Sequence, residues 1–486
     1  MKSKRIYLII FLLVLNGFSN VFSQKLLEQK SKSIEINKQK FIQMDGFIEV
    51  LENRDKADSR KLKLPVRVIK SSKNENLEPV FYFDGGPGYT NIGTTENIEL
   101  LQNHDFVFVG YRGAEGSFIL NSKKLHKAFK GKNNQLLSDE SLDGIVTAMQ
   151  AYFDETEKKG IDITQYTMIQ VTDDLEYARK TLGYDKINIL SFSYGTRVAL
   201  LYSYRYPNSI HRSIMAGANP PGHFLWYPEK TEQILDMWEE KYKAQGKGSL
   251  KEAMVKAYAE MPERWTFYKL NKDKIKAITF TSMSQNEMAV MVFDSYFRAA
   301  SHHDYSGLYM IQLLYDVYMK KIIWGDMYSK GASADFQFNI NYREMLRAYD
   351  KTTVLGPNMS LLLWGSIEAF NKLMIPEEYR KLRLSQTETL IVSGDLDTST
   401  PADFARDELM PYLPNGQQVI LENFSHADIA MAQPENYYRL INTFFNTGKV
   451  DATVFTTQTI DLNPKKKFHK IAKWGFPVIM VVGWFN

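Results

Sequence analysis

The segment from Ile187 to Leu200 constrains the fold of this chain more than any other part of the sequence. It reads as a short apolar strand, a tight turn with Ser193 at its apex, and a helix. Small residues, Ser191 and Gly195, stand two positions before and two positions after the serine, as so sharp a turn requires. The segment therefore predicts a nucleophile elbow, whose usual pattern is G-x-S-x-G and which presents its serine at the end of a strand.

Strand-like and helical runs alternate on both sides of the elbow, and this alternation predicts parallel βαβ units. After Pro220-Pro221-Gly222 the alternation stops, and the chain reads as mainly helical to about Leu384. We therefore predict an α/β protein with a mostly parallel central sheet and an inserted helical cap. The predicted strands cover residues 46–51, 61–69, 80–83, 106–109, 187–190, 213–216, 390–392 and 418–421.

The chain divides into four predicted parts. Residues 1–23 form a signal peptide, because basic residues precede about ten apolar ones, too few to span a bilayer. Val21-Phe22-Ser23 then places small or aliphatic groups at the positions that a signal peptidase reads, with cleavage before Gln24. Residues 24–222 and 385–454 form the α/β core, and residues 223–384 form the cap. Residues 455–486 form a basic and apolar tail. We expect export to the periplasm or the exterior, with a membrane association left open.

The tail allows two interpretations. Three lysines follow Pro464, and the chain becomes mostly apolar from Ile471 onward. The segment could dock on the folded core. Alternatively, it could contact a membrane, with its lysines at anionic headgroups.

Composition excludes several chemistries. The chain has no cysteine, which excludes thiolate zinc sites, iron–sulfur clusters and cysteine nucleophiles. The basic residues at the two ends exceed the formal net charge of +4, so the body between them is mildly acidic. A nucleic-acid-binding body is therefore not expected. His302-His303-Asp304 lacks the i, i+4 histidine spacing of a helical metal site, so no metal is predicted.

Two later strands end in the residues that a serine nucleophile needs. A serine requires a base within hydrogen-bond reach and an acid that orients the base, and in elbow proteins the acid and base follow the serine in that order. Residues 390–392 lead into Asp395 and Asp397, and residues 419–421 lead into His426. We predict Ser193 as nucleophile and His426 as base. The spacing leaves both aspartates open as the acid.

The oxyanion of such a reaction needs fixed backbone N–H donors. The amide of Tyr194, directly after the nucleophile, is one candidate. The second is the amide of Gly86 or Gly85, in the glycine-rich turn Asp84 to Gly88 that follows an early strand. Hydrolysis by these groups requires no cofactor.

Five motifs occur in one order along the chain: Asp84-Gly85-Gly86-Pro87-Gly88, Tyr111-Arg112-Gly113 with Gly116-Ser117, Ser191 to Gly195, Gly394 to Asp397 with Thr400-Pro401, and Ser425-His426-Ala427-Asp428. Together they resemble the proline iminopeptidase and tripeptidyl aminopeptidase family of α/β-hydrolase serine peptidases, over about residues 45–222 and 385–448. The resemblance implies the α/β-hydrolase fold, a cap that shapes the substrate pocket, and Asp397 rather than Asp395 as the acid.

The sequence departs from the family pattern at three positions, where Asp84 replaces a histidine, Gly110 an aspartate and Ser191 a glycine. Family aminopeptidases hold the substrate's amino group with cap carboxylates, whereas the acidic cap residues here read as solvated helix faces. We predict an exported serine hydrolase of the aminopeptidase type, acting on a peptide or small acyl substrate. The alternatives are a carboxylesterase with the same triad and a catalytically silent binding protein. The acidic cap residues considered are Glu229, Glu232, Glu239 and Glu240.

Overall fold

The computed structural model describes residues 26–73 and 77–473. The predicted signal peptide and residues 474–486 of the predicted tail lie outside the described residues. A nine-stranded sheet forms the centre of the molecule, in the order β1-β2-β3-β5-β4-β6-β7-β8-β9. Its strands are Leu27–Ile36 (β1), Gln39–Leu51 (β2), Lys61–Ile69 (β3), Val80–Phe83 (β4), Phe106–Val109 (β5), Ile187–Phe192 (β6), Ile210–Ala216 (β7), Glu388–Gly394 (β8) and Gly416–Leu421 (β9).

Six neighbouring strands of the sheet run parallel: β5, β4, β6, β7, β8 and β9. The other three, β1, β2 and β3, pair antiparallel at one edge. The predicted fold class, an α/β-hydrolase fold with a mostly parallel sheet, is confirmed. The sequence did not reveal β1, because this edge strand is largely polar and buries fully only Ile36. Strands at a solvent-exposed edge lack the apolar pattern that marks buried ones.

Helices cover both faces of the sheet. Successive side chains of a strand point to opposite faces, so Phe81 and Phe83 pack with one group of helices and Val80 with the other. The core helices are Leu100–Asn103 (α1), Lys123–Ala128 (α2), Asp139–Glu157 (α3), Met168–Thr181 (α4), Tyr194–Arg205 (α5), Ala402–Phe404 (α14), Asp428–Met431 (α15) and Pro434–Thr447 (α16).

The chain between β7 and β8 is helical and forms what we call the cap, residues 223–384. Its interior is rich in aromatic side chains, and Trp238, Trp324 and Trp364 are buried there. In the described part of the chain, no helix combines the length and apolarity that a membrane crossing needs. The cap helices are Pro228–Ala244 (α6), Leu250–Ala259 (α7), Lys272–Ser282 (α8), Asn286–His302 (α9), Ser306–Lys321 (α10), Trp324–Ala332 (α11), Tyr342–Arg347 (α12) and Asn358–Trp364 (α13).

The described part of the tail packs on the cap. Phe468 and Ala472 are buried, which places one side of this segment in the apolar core. Lys467 forms an ion pair of 3.0 Å with Asp294 of α9. Lys473 forms a pair of 2.9 Å with Asp304, which lies between α9 and α10. The tail thereby joins the C-terminal end of the core to the cap.

Candidate active site

Ser193 lies at the apex of the turn between β6 and α5. Its backbone adopts φ +52° and ψ −123°, a conformation that residues other than glycine rarely adopt. Such a strained conformation is kept only where the surrounding structure holds it in place. Its amide donates to the carbonyl oxygen of Ala216 on β7 at 2.9 Å, and its carbonyl accepts from the Thr196 amide at 2.9 Å. The serine is therefore held at the carboxyl end of the parallel sheet, with its side chain partly exposed.

The residues on the two sides of the turn are small for different structural reasons. A Cβ on Gly195 would overlap the carbonyl oxygen of Phe83, because α5 begins directly against the end of β4. Ser191 is buried, and its hydroxyl donates to the carbonyl of Ile214 at 2.9 Å. A serine is thus accommodated where the usual pattern has glycine, because its hydroxyl finds an acceptor on the neighbouring strand.

His426 and Asp397 form a buried hydrogen-bonded pair. The loop after β9 places the Nδ1 atom of His426 2.7 Å from Oδ2 of Asp397, which stands in the loop after β8. The Thr400 hydroxyl donates to the same carboxylate oxygen at 2.7 Å. The other oxygen, Oδ1, accepts from the amides of Ser399 and Thr400, each at 2.8 Å. These contacts fix the carboxylate and leave Nε2 of His426 for proton transfer.

The geometry separates the two candidate acids. Burial raises the pKa of Asp397, but the neighbouring His426 and the Thr400 hydrogen bonds outweigh it and hold that pKa below its ordinary value. Asp397 is therefore ionised at neutral pH. Asp395 forms no such pair: its Oδ1 atom is buried without a hydrogen-bond partner among the described residues, and burial raises its pKa.

Two contacts connect the histidine to the elbow. The ring of Phe192, directly before the nucleophile, lies 4.8 Å from the His426 ring between centroids. Gly217 directly follows Ala216, whose carbonyl accepts the Ser193 amide, and it has φ +61°. A Cβ on Gly217 would lie 2.9 Å from Cε1 of His426. The imidazole therefore fills the space beside the end of β7, next to the strained turn.

The glycine-rich turn after β4 lies against the nucleophile. A Cβ on Gly85 would lie 3.1 Å from Cβ of Ser193. The Gly85 amide itself donates to Oδ1 of Asp84 at 2.7 Å, which withdraws it from substrate. In the described residues, no protein acceptor takes the Gly86 amide, and Tyr194 is the first residue of α5, where amides lack an intrahelical acceptor. Of the two glycines predicted as oxyanion donors, Gly86 is the one with an available N–H.

The cap supports this turn from behind. Oδ2 of Asp326, on α11, accepts the Gly88 amide at 3.0 Å. Asp326 is fully buried and forms a very close ion pair with Lys330, whose ammonium group also donates to the carbonyl of Arg112 at 2.9 Å. A charged pair from the cap thus joins the turn after β4 to the loop after β5.

Arg112, in the Tyr-Arg-Gly motif, has a structural role. Its buried guanidinium donates to both carboxylate oxygens of Asp174, at 2.6 and 2.7 Å. It also donates to the carbonyls of Glu52 and Gln165, each at 2.8 Å. This bidentate pairing joins α4 to β2 and to the loop behind the glycine-rich turn.

Sequence reasoning missed the residues that support the site. Thr400 stands in a quoted motif, and its position three residues after Asp397 is the signal that could have assigned it. Gly217, Asp326 and Ser284 carry no local signal in the sequence. The Ser284 carbonyl accepts the Ala427 amide at 2.7 Å, directly after His426. Their roles depend on the docking of the cap.

The four cap carboxylates considered above form ion pairs or hydrogen bonds with other residues of the cap. Glu232 pairs with Lys251 at 2.5 Å and Glu239 with Lys243 at 3.2 Å. Glu229 accepts from the Tyr349 hydroxyl, and Glu240 lies 3.5 Å from Lys243. Within residues 26–73 and 77–473, no cluster of three or more histidine and carboxylate ligands is suited to a metal.

Asp84 gives a test of the glycine-rich turn. Its Oδ1 atom holds the Gly85 amide and accepts from the Tyr82 hydroxyl at 3.1 Å, while burial raises its pKa. We expect Asp84→Ala to lower kcat about tenfold with little change in KM, because the Gly86 donor loses its support. Asp84→Asn keeps an acceptor oxygen and should lose less than about threefold. Steady-state kinetics on an aryl ester measure both, and equal losses in the two variants would contradict this role.

This chain is similar to known proteins of one fold family. A family model described as the alpha/beta hydrolase fold matches residues 79–430, more than half of the chain. A search of curated proteins found no match. Among solved structures, a Medee basin deep-sea metagenome alpha/beta hydrolase enzyme is 16% identical, with 80% of this chain and 96% of that chain covered and a TM-score of 0.36.

Two further solved structures are similar to this chain. A serine hydrolase from the bacterium Cycloclasticus zankles is 12% identical, with 84% of this chain and 100% of that chain covered and a TM-score of 0.39. A thermophilic esterase from Thermogutta terrifontis is 15% identical, with 84% and 99% covered and a TM-score of 0.37. The family assignment depends on the family model.

Proposed function

We propose that this chain, which belongs to the alpha/beta hydrolase family, is an exported serine hydrolase of the aminopeptidase type. The observation that carries serine chemistry is the buried Asp397–His426 pair at 2.7 Å, beside a strained turn with Ser193 at its apex. Such a pair orients the imidazole and stabilises its protonated form, which is what a serine nucleophile requires.

The proposed reaction uses five groups of this chain. The Ser193 hydroxyl oxygen attacks the acyl carbon while Nε2 of His426 takes its proton. The amides of Tyr194 and Gly86 donate to the oxygen on which negative charge develops. His426 then gives its proton to the leaving amine, and Asp397 stays ionised throughout. Water, deprotonated by the same imidazole, releases the acyl group from Ser193 and restores the enzyme.

Two observations support a small or terminal substrate. His426 is only 8% exposed, and the cap reaches its loop directly through the Ser284–Ala427 hydrogen bond. A covered site of this kind favours the end of a peptide over the middle of a long chain. The motif resemblance to proline iminopeptidases and tripeptidyl aminopeptidases supports release of N-terminal residues or short peptides.

A carboxylesterase is the second candidate, and one observation favours it. The four cap carboxylates first considered for an amine site have partners within the cap. An esterase needs no carboxylate for an ammonium group, so the same triad would act without one. A silent binding protein is the third candidate, and the intact hydrogen-bonded pair argues against it.

A substrate panel tests the proposal. The mature chain, residues 24–486, is assayed against amino-acid and tripeptide anilides with free amino termini, the same compounds acetylated, and simple aryl esters. We expect acetylation to lower kcat/KM by roughly 10- to 100-fold, the effect of losing a charged hydrogen bond. Equal rates on free and blocked anilides, with faster ester cleavage, would establish the esterase. Inertness toward every compound would revive the binding protein.

Export has its own test. The order of basic residues, an apolar run and a cleavage site within residues 1–23 supports it. We expect the secreted or periplasmic protein to begin at Gln24. Terminal sequencing of the purified protein checks this, and recovery of intact Met1 in the cytoplasmic fraction alone would contradict it.

A further inference from the structure

We propose that the cap carries a docking face for a membrane surface rich in anionic headgroups. The docking face consists of a hairpin, residues 264–269, and the outer side of α10. Its apolar members are Trp265, Phe267, Tyr268, Leu313 and Val317. The inference goes beyond hydrolysis and does not depend on Ser193 or on the choice of substrate.

The tip of the hairpin presents an aromatic side chain to solvent. Phe267 is 88% exposed, the highest fraction of any large hydrophobic side chain in the described residues. The strands Arg264–Trp265 and Tyr268–Lys269 pair antiparallel, and the Arg264 guanidinium donates to the Phe267 carbonyl at 3.0 Å. A single exposed apolar side chain is common on protein surfaces, but one that is continuous with a larger apolar patch marks an interaction site.

The hairpin is fixed to α10 by polar and aromatic contacts. Gln312 donates to the Lys269 carbonyl at 2.9 Å and accepts the Asn271 amide at 2.8 Å. The ring of Tyr309 lies 5.1 Å from that of Trp265 and 4.9 Å from that of Tyr268. Tryptophan and tyrosine, apolar with a polar end, are enriched at the interface between lipid and water.

The outer side of α10 continues the apolar surface. Leu313 and Val317 follow Tyr309, which is buried beside the hairpin, at four-residue spacing, so the three share one face of the helix. Val317 is 53% exposed, and Leu313 is half-buried. The helix ends in two exposed lysines, Lys320 and Lys321, which border this stripe. An apolar stripe bordered by lysines is typical of helices that lie on membranes.

The described part of the tail, up to Lys473, lies beside the docking face. Lys473 pairs with Asp304 directly before α10, and a Cβ on Gly307 of α10 would lie 3.5 Å from the His469 amide nitrogen. The chain continues from there through residues 474–486, which contain no charged side chain and include Trp474, Phe476, Trp484 and Phe485. The described part of the tail thus reaches the first turn of α10, two residues before the tyrosine that stacks on the hairpin.

Charge favours a lipid surface over an apolar protein partner. The acids of the cap fix Lys467 and Lys473 of the tail, whereas Lys466 and Lys470 are exposed. Lys320 and Lys321 add positive charge at the other end of α10. The aromatic tip, the aliphatic stripe and the lysines near the two ends of α10 match the layers of a bilayer surface, with apolar groups below anionic headgroups. The acid next to the hairpin, Glu263, pairs with Lys269 at 3.8 Å. The acid on α10, Asp316, pairs with Lys274 at 2.9 Å.

Vesicle sedimentation tests the proposal with the mature chain. Vesicles of phosphatidylcholine alone are compared with vesicles containing a quarter phosphatidylglycerol. We expect at least about tenfold stronger binding to the anionic vesicles, decreasing with added salt. Phe267→Ser combined with Val317→Ser should weaken that binding about tenfold. Leu384→Ser, at an equally solvated position (68% exposed) outside the docking face, is the matched control and should bind as the natural chain does.

Two other outcomes would overturn the proposal. Equal binding by the natural chain and the Phe267/Val317 variant, with loss only on Trp484→Ser and Phe485→Ser, would assign membrane contact to the chain end alone. No binding to either vesicle, with concentration-dependent self-association in light scattering, would assign the face to a second copy of the chain. Thermal unfolding midpoints equal to that of the natural chain verify that each variant is folded.

Discussion

Replacement of Ser193 by alanine is expected to lower kcat/KM by about 10⁴-fold or more while leaving the protein folded. The change removes only the hydroxyl oxygen, and the Ser193 amide keeps its 2.9 Å hydrogen bond to Ala216. Alanine tolerates φ +52° no worse than serine, so the thermal unfolding midpoint should change little. Steady-state kinetics on the best substrate and a thermal melt measure the two quantities.

Ser193→Gly is the matched control for the strained turn. Glycine adopts positive φ without steric cost, so this variant should be as inactive as Ser193→Ala and at least as stable as the natural protein. Activity within tenfold of the natural enzyme in either variant would mean that another group performs the attack. A strongly destabilised alanine variant would mean that the serine hydroxyl is structural.

Replacement of Asp397 by asparagine is expected to lower kcat by roughly 10³- to 10⁴-fold. Asparagine has almost the same size, but it removes the negative charge that the imidazolium needs, and its amide allows the wrong histidine tautomer. The pKa of Asp397 lies below its ordinary value, so the natural residue is charged across the neutral range. The loss should therefore be present at every pH where the natural enzyme is active.

Asp395→Asn is the matched control for this prediction. Asp395 stands two residues away in the same loop and makes no hydrogen bond to His426, so its variant should retain kcat within about threefold. A loss at Asp395 as large as that at Asp397 would contradict the assignment that the hydrogen bonds support. Kinetics of both variants on the same substrate, over the same pH range, decide between them.

The strand, turn and helix around Ser193 and the core strands could be predicted from sequence because their signals are local. Residues 187–200 contain the strand, turn and helix within one short segment, and the strands before Asp397 and His426 are apolar runs. Such patterns depend on side-chain periodicity and turn chemistry, which a single segment carries.

The choice between neighbouring residues required the structure. Spacing alone could not separate Asp397 from Asp395, because the direction of each side chain depends on the loop conformation. Nor could it separate Gly86 from Gly85, since the difference is the hydrogen bond that takes the Gly85 amide. The polar edge strand β1 carried too weak an apolar pattern to be recognised.

The contacts between cap and core could not be predicted. Gly88 and Asp326 are separated by 238 residues, and no pattern in either segment identifies the partner. The burial of Lys330 could not be predicted from sequence either, because lysine side chains usually lie in solvent. These contacts form only when the cap docks on the core, so they follow from the structure and not from sequence.

The most direct test of the proposed serine chemistry is covalent labelling of the mature protein with a fluorophosphonate probe, followed by intact-mass measurement and peptide mapping. This class of probe reacts with an activated serine and reports the nucleophile without knowledge of the substrate. The account predicts one adduct per chain, located on Ser193, absent from Ser193→Ala and much slower to form in Asp397→Asn. An adduct on another residue, or the same labelling in Ser193→Ala, would contradict it.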